Sequence, residues 1–337
     1  MPLAGVKRDD GYVVYKGAGT TINLAANSTL DVQGDTNSIN SASPGAFTVS
    51  SGRGNIFNLG SAGVGVGYSA MTLTLQHSDS ISTINAGANT QFTYTGDGST
   101  LNLGLNDVVW VNGSNNTFNE TGGSITVQTG ANNIFNLGGT AGDGTSTTLS
   151  FWGIGPAGAT INGGGNISVT AIGATINARA GETVRLGGSS NTLNMTTNGV
   201  ASIDFSGADG ADTVTTYGLS GPSGRLSISG WSGNSDPNHV WLDRSGGDLK
   251  ITMMGRAETV TITNWFGGGA AQLATFQVGS HTLANTDVAS LLSAMSTYEA
   301  NYASSHGGAA FDPSAVANDT ITDATLVGVV NSVWHPV

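Results

Sequence analysis

The sequence predicts an all-β fold: a parallel β-solenoid, a flattened β-roll with two short strands in each coil of about 17 residues, closed by a C-terminal β-hairpin and helical cap. Three observations carry this. The first is composition. The 337 residues include 52 Gly and no Cys, and only 9% are charged against 38% hydrophobic. Ordinary helical and α/β enzymes carry far more charge, and disordered chains are charge-rich and poor in β-branched residues. The second is an Asn that follows a large apolar residue, at Asn23, Asn40, Asn58, Asn85, Asn102, Asn119, Asn136, Asn162, Asn177 and Asn194. Successive spacings are 17, 18, 27, 17, 17, 17, 26, 15 and 17 residues. The third is a second apolar alternation halfway between these positions: AFTV at 46–49, QFTY at 91–94, SITV at 124–127, NISV at 166–169 and SIDF at 202–205.

Four segments follow in order. Residues 1–18 form an N-terminal extension with its own strand, Tyr12 to Lys16, which either simply caps the roll or pairs with the end of a neighbouring copy. Residues 19–206 are the Asn/Thr/Gly-rich solenoid. Each unit is a strand, a Gly/Asn/Ser turn, a second strand and another turn; period-2 alternation makes each strand half buried. One coil cannot bury its apolar residues alone, and stacking supplies the core. Ile22, Leu24, Phe57, Leu59, Leu101, Leu103, Phe135 and Leu137 face inward from one wall. Phe47, Val49, Phe92, Tyr94, Ile125 and Val127 face inward from the other. About ten coils at ~4.8 Å each give a body roughly 50 Å long. The two long spacings fit one coil plus a Gly-rich insertion, at 61–70 and at 140–146. Gly serves corners that need positive φ, and Asn bonds its own backbone there. In 113–139, NNTFN and NNIFN are therefore neighbouring rungs, stacked on each other.

The outward positions flank the buried one. Thr83/Asn85, Thr100/Asn102, Thr117/Asn119 and Thr175/Asn177 define two parallel rows, interrupted at Ile56 and Ile134. Two readings stand. The Thr-x-Asn face resembles ice-binding solenoids, whose rows order water; or Thr is there as a strand former and the Asn amides form ladders. Trp110 and Trp152 are either sugar-stacking platforms or cover for the roll or an interface.

The texture changes in the third segment, 207–285. GADGADTV at 207–214 is close to the calcium nonapeptide GGxGxDxUx, with Ala208 in place of the second Gly. Asp209 and Asp212 are the candidate Ca²⁺ ligands, since carboxylates and turn carbonyls are the hard oxygen donors that ion takes; the alternative is an ordinary Asx turn. The turn one coil upstream carries Asn191, neutral and read as out of register. Next, 239–266 (HVWLDRSGGDLKITMMGRAETVTITNWF) reads as three strands with turns at SGGD and GRAE. With the following LATFQVGSHTL, it resembles the end of the haemolysin-type, repeats-in-toxin (RTX) family of calcium-binding proteins, most specifically in Asn264-Trp265-Phe266 after the GGDLKI hairpin, and departs from it at Glu258, where Asp is commoner. The resemblance runs from about Gly207 to the C-terminus. It implies export by type I secretion machinery, which reads an uncleaved C-terminal signal; it does not imply toxicity.

The fourth segment, 286–337, is the helical cap carrying that signal. Asp287 to Tyr302 and Thr322 to Trp334 place apolar residues at helical spacing, with Thr286 as the N-cap of the first helix. The helices cover the sheet edges at the end of the solenoid.

Chemistry is sparse. His77, His239, His281, His306 and His335 show no metal-ligand spacing, and no G-x-S-x-G elbow occurs. Arg179, Glu182 and Arg185 are the nearest approach to a lyase-like charge cluster; otherwise they are a solvated charge pair. A net charge of −12 disfavours nucleic acid and anionic membrane surfaces. Met1 is not followed by a basic stretch and an apolar run, so no Sec-type leader is expected, and no apolar stretch spans a bilayer. The expectation is a secreted, non-enzymatic structural protein, extracellular or at the cell surface, that self-associates head-to-tail or laterally into a fibre, matrix or surface layer. The alternatives are an adhesin or ice-binding protein using the Thr-x-Asn face, with cell-surface polysaccharide as a partner, and third a glycan-active enzyme.

Overall fold

A computed structural model describes residues 5–7, 12–24, 28–41, 46–60, 71–76, 81–138, 148–151, 157–164, 166–179, 182–195, 202–206, 210–216, 221–229, 236–317 and 320–337. The chain is a parallel β-solenoid of about nine turns with a short C-terminal helical region, and it divides into two compact units, 1–170 and 171–337.

In the first unit, alternate strands join opposite walls. One wall is a nine-stranded sheet running from Gly5–Lys7 to Thr148–Phe151. The other starts at Thr21–Leu24 and continues through Thr100–Leu103 and Thr117–Glu120 to Thr160–Asn162. Neighbours within each wall are parallel and almost in register: Thr100, Leu101 and Asn102 lie beside Thr117, Phe118 and Asn119, and these lie beside Ile134, Phe135 and Asn136. One antiparallel pair departs from this, Gly5–Lys7 against Tyr12–Lys16. Tyr12–Lys16 is itself a parallel rung beside Thr29–Gln33, so it is paired on both edges, and Gly5–Lys7 is the end strand of this sheet. Two rungs carry bulges. The extra Ser50 gives its hydroxyl and N–H to the Asp31 carboxylate, and the extra Gln128 accepts from the Asn112 amide.

The interior follows the predicted alternation. Phe47, Phe57, Phe92, Tyr94, Phe118, Phe135 and Ile125 are fully buried. Phe118 and Phe135 stack with ring centroids 4.9 Å apart and planes 11° off parallel. Burying each such ring is worth roughly 2–3 kcal/mol. Leu24 alone among the predicted inward residues is only half buried. Glu120 occupies a slot in the apolar stack beside Leu103 and Leu137.

In the second unit the stack continues past 206. Thr175–Ala178, Thr192–Met195, Ala211–Thr216 and Thr259–Ile262 form one parallel wall. On the other wall Thr183–Ser189, Ser202–Ser206, Arg225–Ser229 and Thr275–Val278 follow in the same way. The three strands read from 239–266 form as Val240–Ser245, Asp248–Met253 and Thr259–Ile262. The first two make an antiparallel hairpin, and the third returns to the stack as a parallel rung. Asn264 takes a left-handed conformation (φ 55°) and its N–H donates to Asp248 at 2.7 Å; Trp265 is buried, 5.5 Å from Phe276, and Phe266 lies under Arg244. The other wall ends in Thr275–Val278, His281–Ala284 and Trp334–Pro336, all antiparallel.

The helical cap forms with two corrections. Helix α1 spans Val288–Ser305 and is led in by a 3-10 turn, Asn285–Asp287, so Thr286 lies inside that turn and caps nothing; the N-cap position falls to Asp287, which makes no side-chain cap bond. Helix α2 spans Ala324–Val333, with the Asp323 carboxylate accepting from the Leu326 N–H at 2.9 Å. Trp334 leaves the helix and pairs as a strand residue with Leu283, because a buried sheet edge there needs its backbone groups satisfied. Helix α1 packs on Val240–Ser245: the Trp241 indole donates to Glu299 at 3.1 Å and its ring meets Tyr298 and Phe311.

Candidate functional site

At 115/116/119 and again at 132/133/136, three asparagines build a corner and its rung, and each has a different task. In 114–119 the first, Asn115, sits at φ 58° and turns the chain from one wall to the other. The same corner recurs at Thr36, Gly54, Gly98, Asn132 and Gly158, all with positive φ. Only Gly, and locally hydrogen-bonding residues such as Asn, occupy that region at low cost.

The second, Asn116, points inward and is fully buried. Its Oδ1 accepts from the Ser99 N–H one coil earlier at 2.9 Å, and its Nδ2 donates to the Gly96 carbonyl at 2.9 Å. Asn133 repeats both bonds onto Asn116 and Gly113, and Asn37 onto Thr20 and Gly17. This inner column ties up corner backbone groups that no strand partner reaches. The sequence alternation did not reveal it, although the doubled Asn of NNTF and NNIF is its trace.

The third, Asn119, lies on the outer face. Its Nδ2 donates to Asn102 Oδ1 at 2.8 Å, and Asn136 donates to it in turn at 2.8 Å. The ladder runs in one direction from Asn162 to Asn23 in the first unit, every step 2.8–2.9 Å. In the second unit Asn194 donates to Asn177 at 2.9 Å. The predicted outer row is therefore brought together: Thr83/Asn85, Thr100/Asn102 and Thr117/Asn119 are register neighbours, and Thr175/Asn177 lies beside Thr192/Asn194. All are half-exposed. The Asn amides engage one another, while the hydroxyls of Thr83, Thr100 and Thr117 bond to none of the described residues. Ile56 and Ile134, each 40% exposed, interrupt the Thr row as expected.

The opposite corner is closed from within. The Asp107 carboxylate accepts from Thr90 N–H and Gly104 N–H, both at 2.7 Å, with the preceding Asn106 at φ 60°. Glu120 accepts from Gly122 N–H at 2.8 Å. Burial pushes the Asp107 carboxyl up to about 6 and the Glu120 carboxyl up to about 7, the latter also raised by Asp107. Glu182 does the same work, taking the Arg179 N–H at 2.7 Å. It is buried, so the solvated charge pair expected of Arg179, Glu182 and Arg185 is corrected: Glu182 is a corner acceptor, while Arg179 and Arg185 are exposed.

Of the expected calcium pair, Asp209 and Asp212, one residue falls among the described ones. Asp209 lies outside them. Asp212 is buried and faces inward, and its Oδ1 accepts from the Asn191 N–H at 2.7 Å. Asn191 in turn accepts from Ala174 N–H at 3.0 Å. Asn191 is thus in register with Asp212, not out of register, and Asp212 is the carboxylate member of the inner Asn column. Burial pushes it up to about 6. Among the described residues no group of three or more His, Asp or Glu is placed to hold a metal.

Trp110 sits half-exposed on the outer face of its sheet between Thr93 and Thr126; Trp152 lies outside the described residues. A groove of about 670 Å³ between α1 and α2 is lined by Thr297, Asn301, Tyr302, His306 and Asp323, the last engaged in capping α2. Among the described residues, no helix is long and apolar enough to cross a membrane. No family model matches the chain, and no curated protein matches it.

Proposed function

We propose that this protein is a secreted, non-enzymatic structural protein, a β-solenoid subunit that self-associates into an extracellular fibre, matrix or surface layer. The observation that carries the reading is the outer face: in-register, uncharged rows of Thr and Asn, repeated rung after rung. A repeated polar row is complementary to a copy of itself shifted by whole rungs. Export by type I secretion machinery is part of the proposal and rests on the resemblance of the region after Gly207 to RTX proteins.

Electron microscopy of the purified protein over a range of concentration, pH and calcium tests it. Filaments, sheets or ordered oligomers are expected; monodisperse monomers under every condition would sink the reading. The hydroxyls of Thr83, Thr100 and Thr117, which bond to none of the described residues, favour one second reading, an adhesin or ice-binding face. Thermal hysteresis lost in Thr100→Tyr would support it, and unaltered ice growth with the wild-type protein would dismiss the ice version.

A further inference from the structure

We propose that the outer face of the Thr/Asn wall in the first unit is a self-recognition surface: two copies of this chain meet there face to face, their stacks running in opposite directions, about a two-fold axis at the Thr100 rung. The inference rests on the self-association reading and names its contact. The order of side chains down the Thr column carries it. Successive register partners are Ile56, Thr83, Thr100, Thr117 and Ile134. That order is the same from either end. Ser38 stands before Ile56 and Thr160 after Ile134, so a hydroxyl residue lies beyond each isoleucine. The two coils that begin at the isoleucine rungs are also the two long ones, with Asn spacings of 27 and 26 residues.

A surface that is complementary to itself closes about a two-fold axis. An axis lying along the Thr100 strand reverses the stack and leaves each column over its own kind. Thr100 then meets Thr100 of the second copy, Thr83 meets Thr117, and Ile56 meets Ile134. An axis running along the stack would instead lay each isoleucine on an Asn of the ladder. The Thr and Asn rows alone accept a copy at any whole-rung shift; the isoleucines select one shift and one direction.

The chemistry of the face suits a second copy. Ile56 and Ile134 are each 40% exposed. An isoleucine in a polar row interrupts bonding to water or to a sugar and gains only against another apolar group. The hydroxyls of Thr83, Thr100 and Thr117 bond to none of the described residues, and in the pair each has a hydroxyl opposite. The outward positions of these rungs carry no charge, so no like charges are pressed together. Gly5–Lys7 and Tyr12–Lys16 belong to the other wall and stay outside the contact. Seven rungs overlap, from Ser38–Ser41 to Thr160–Asn162. At ~4.8 Å per rung and about 15 Å of strand, they offer roughly 500 Å² on each copy. The total of about 1,000 Å² is the lower bound of a specific interface, so the affinity turns on the two isoleucine pairs.

Light scattering and thiol cross-linking of the full chain test this, in salt high enough to screen the net charge of −12. Ile56→Lys and Ile134→Glu should each keep the circular dichroism and Tm of the wild type but dimerise ~10-fold or more weakly. The double variant should return to near wild-type affinity, because the new ammonium faces the new carboxylate at both contacts. Within one copy the two positions are four rungs, ~19 Å, apart and cannot pair. The chain has no cysteine, and facing sheets lie ~10 Å apart, so a short bismaleimide is the probe. Thr100→Cys should cross-link with itself. Ile56→Cys should not, and should do so when mixed with Ile134→Cys; this decides the matter if the charged variants misfold. Single charges without effect, a double variant as weak as its parents, or Thr100→Cys that gives no dimer overturns the face contact and leaves self-association standing. Wild-type protein that stays monomeric at every concentration overturns both.

Discussion

At Gly113 the backbone passes directly over the rung below: an added Cβ would overlap the Gly96 carbonyl oxygen, and Gly130 stands in the same relation to Gly113. The φ of 150° at Gly113 adds strain for any L side chain. Gly113→Ala is expected to destabilise the protein by roughly 2–4 kcal/mol. Gly221→Ala, with nothing within 4 Å of the new Cβ, should be near neutral, and denaturant unfolding compares the two. The asparagines separate in the same way. Asn116→Ala leaves the Ser99 N–H and the Gly96 carbonyl without that partner in a buried corner and should cost about 2–3 kcal/mol. Asn119→Ala breaks two outer ladder bonds where water can replace them and should cost about 1 kcal/mol. Equal losses at both positions would contradict the division of labour between inner and outer columns.

At the level of the element, the corner is the unit of design. Positive φ at one residue is followed by an inward acceptor, Asn116 or Asn133 at one corner and Asp107 at the other. Where the acceptor is a carboxyl, stability depends on pH. Asp107, Glu120 and Asp212 are all raised by burial, to about 6, about 7 and about 6. A raised carboxyl favours the protonated fold: its contribution is full below the unfolded value near 4 and lost as pH rises through the folded one. The melting temperature should therefore fall between about pH 4 and pH 7 and level off above. Asp212→Asn should raise Tm at pH 8 and flatten part of this slope, because Asn holds the same place elsewhere in the column. A variant that instead loses a calcium-dependent rise in Tm would assign Asp212 the role of ion ligand.

On the scale of the whole molecule, the argument depends on where edges are left and where they are closed. The antiparallel hairpins and helices of the second unit close its last strands, while in the first unit Thr21–Leu24 has one strand partner among the described residues, Ser38–Ser41. Assembly, tested by microscopy, belongs to this scale.

Much of this was legible in the chain itself. Alternation at 100–103 and 117–120 fixes which side chains are inward, because a strand has period two and water removes the ambiguity between its faces. The recurrent Asn spacing fixed the coil length, and the outer Thr and Asn rows came with it. GGDLKI and NWF marked the hairpin and the return to the stack. Tertiary structure decided what depends on register between coils: that Asn115, Asn116 and Asn119 differ in task, that Asn191 meets Asp212, and that Tyr12–Lys16 is already paired. It also moved Trp334 from helix to strand and Thr286 out of a cap, since those outcomes turn on which sheet edge needs covering. A local pattern tells a residue which way to face; only the neighbour one coil away tells it what it will bond.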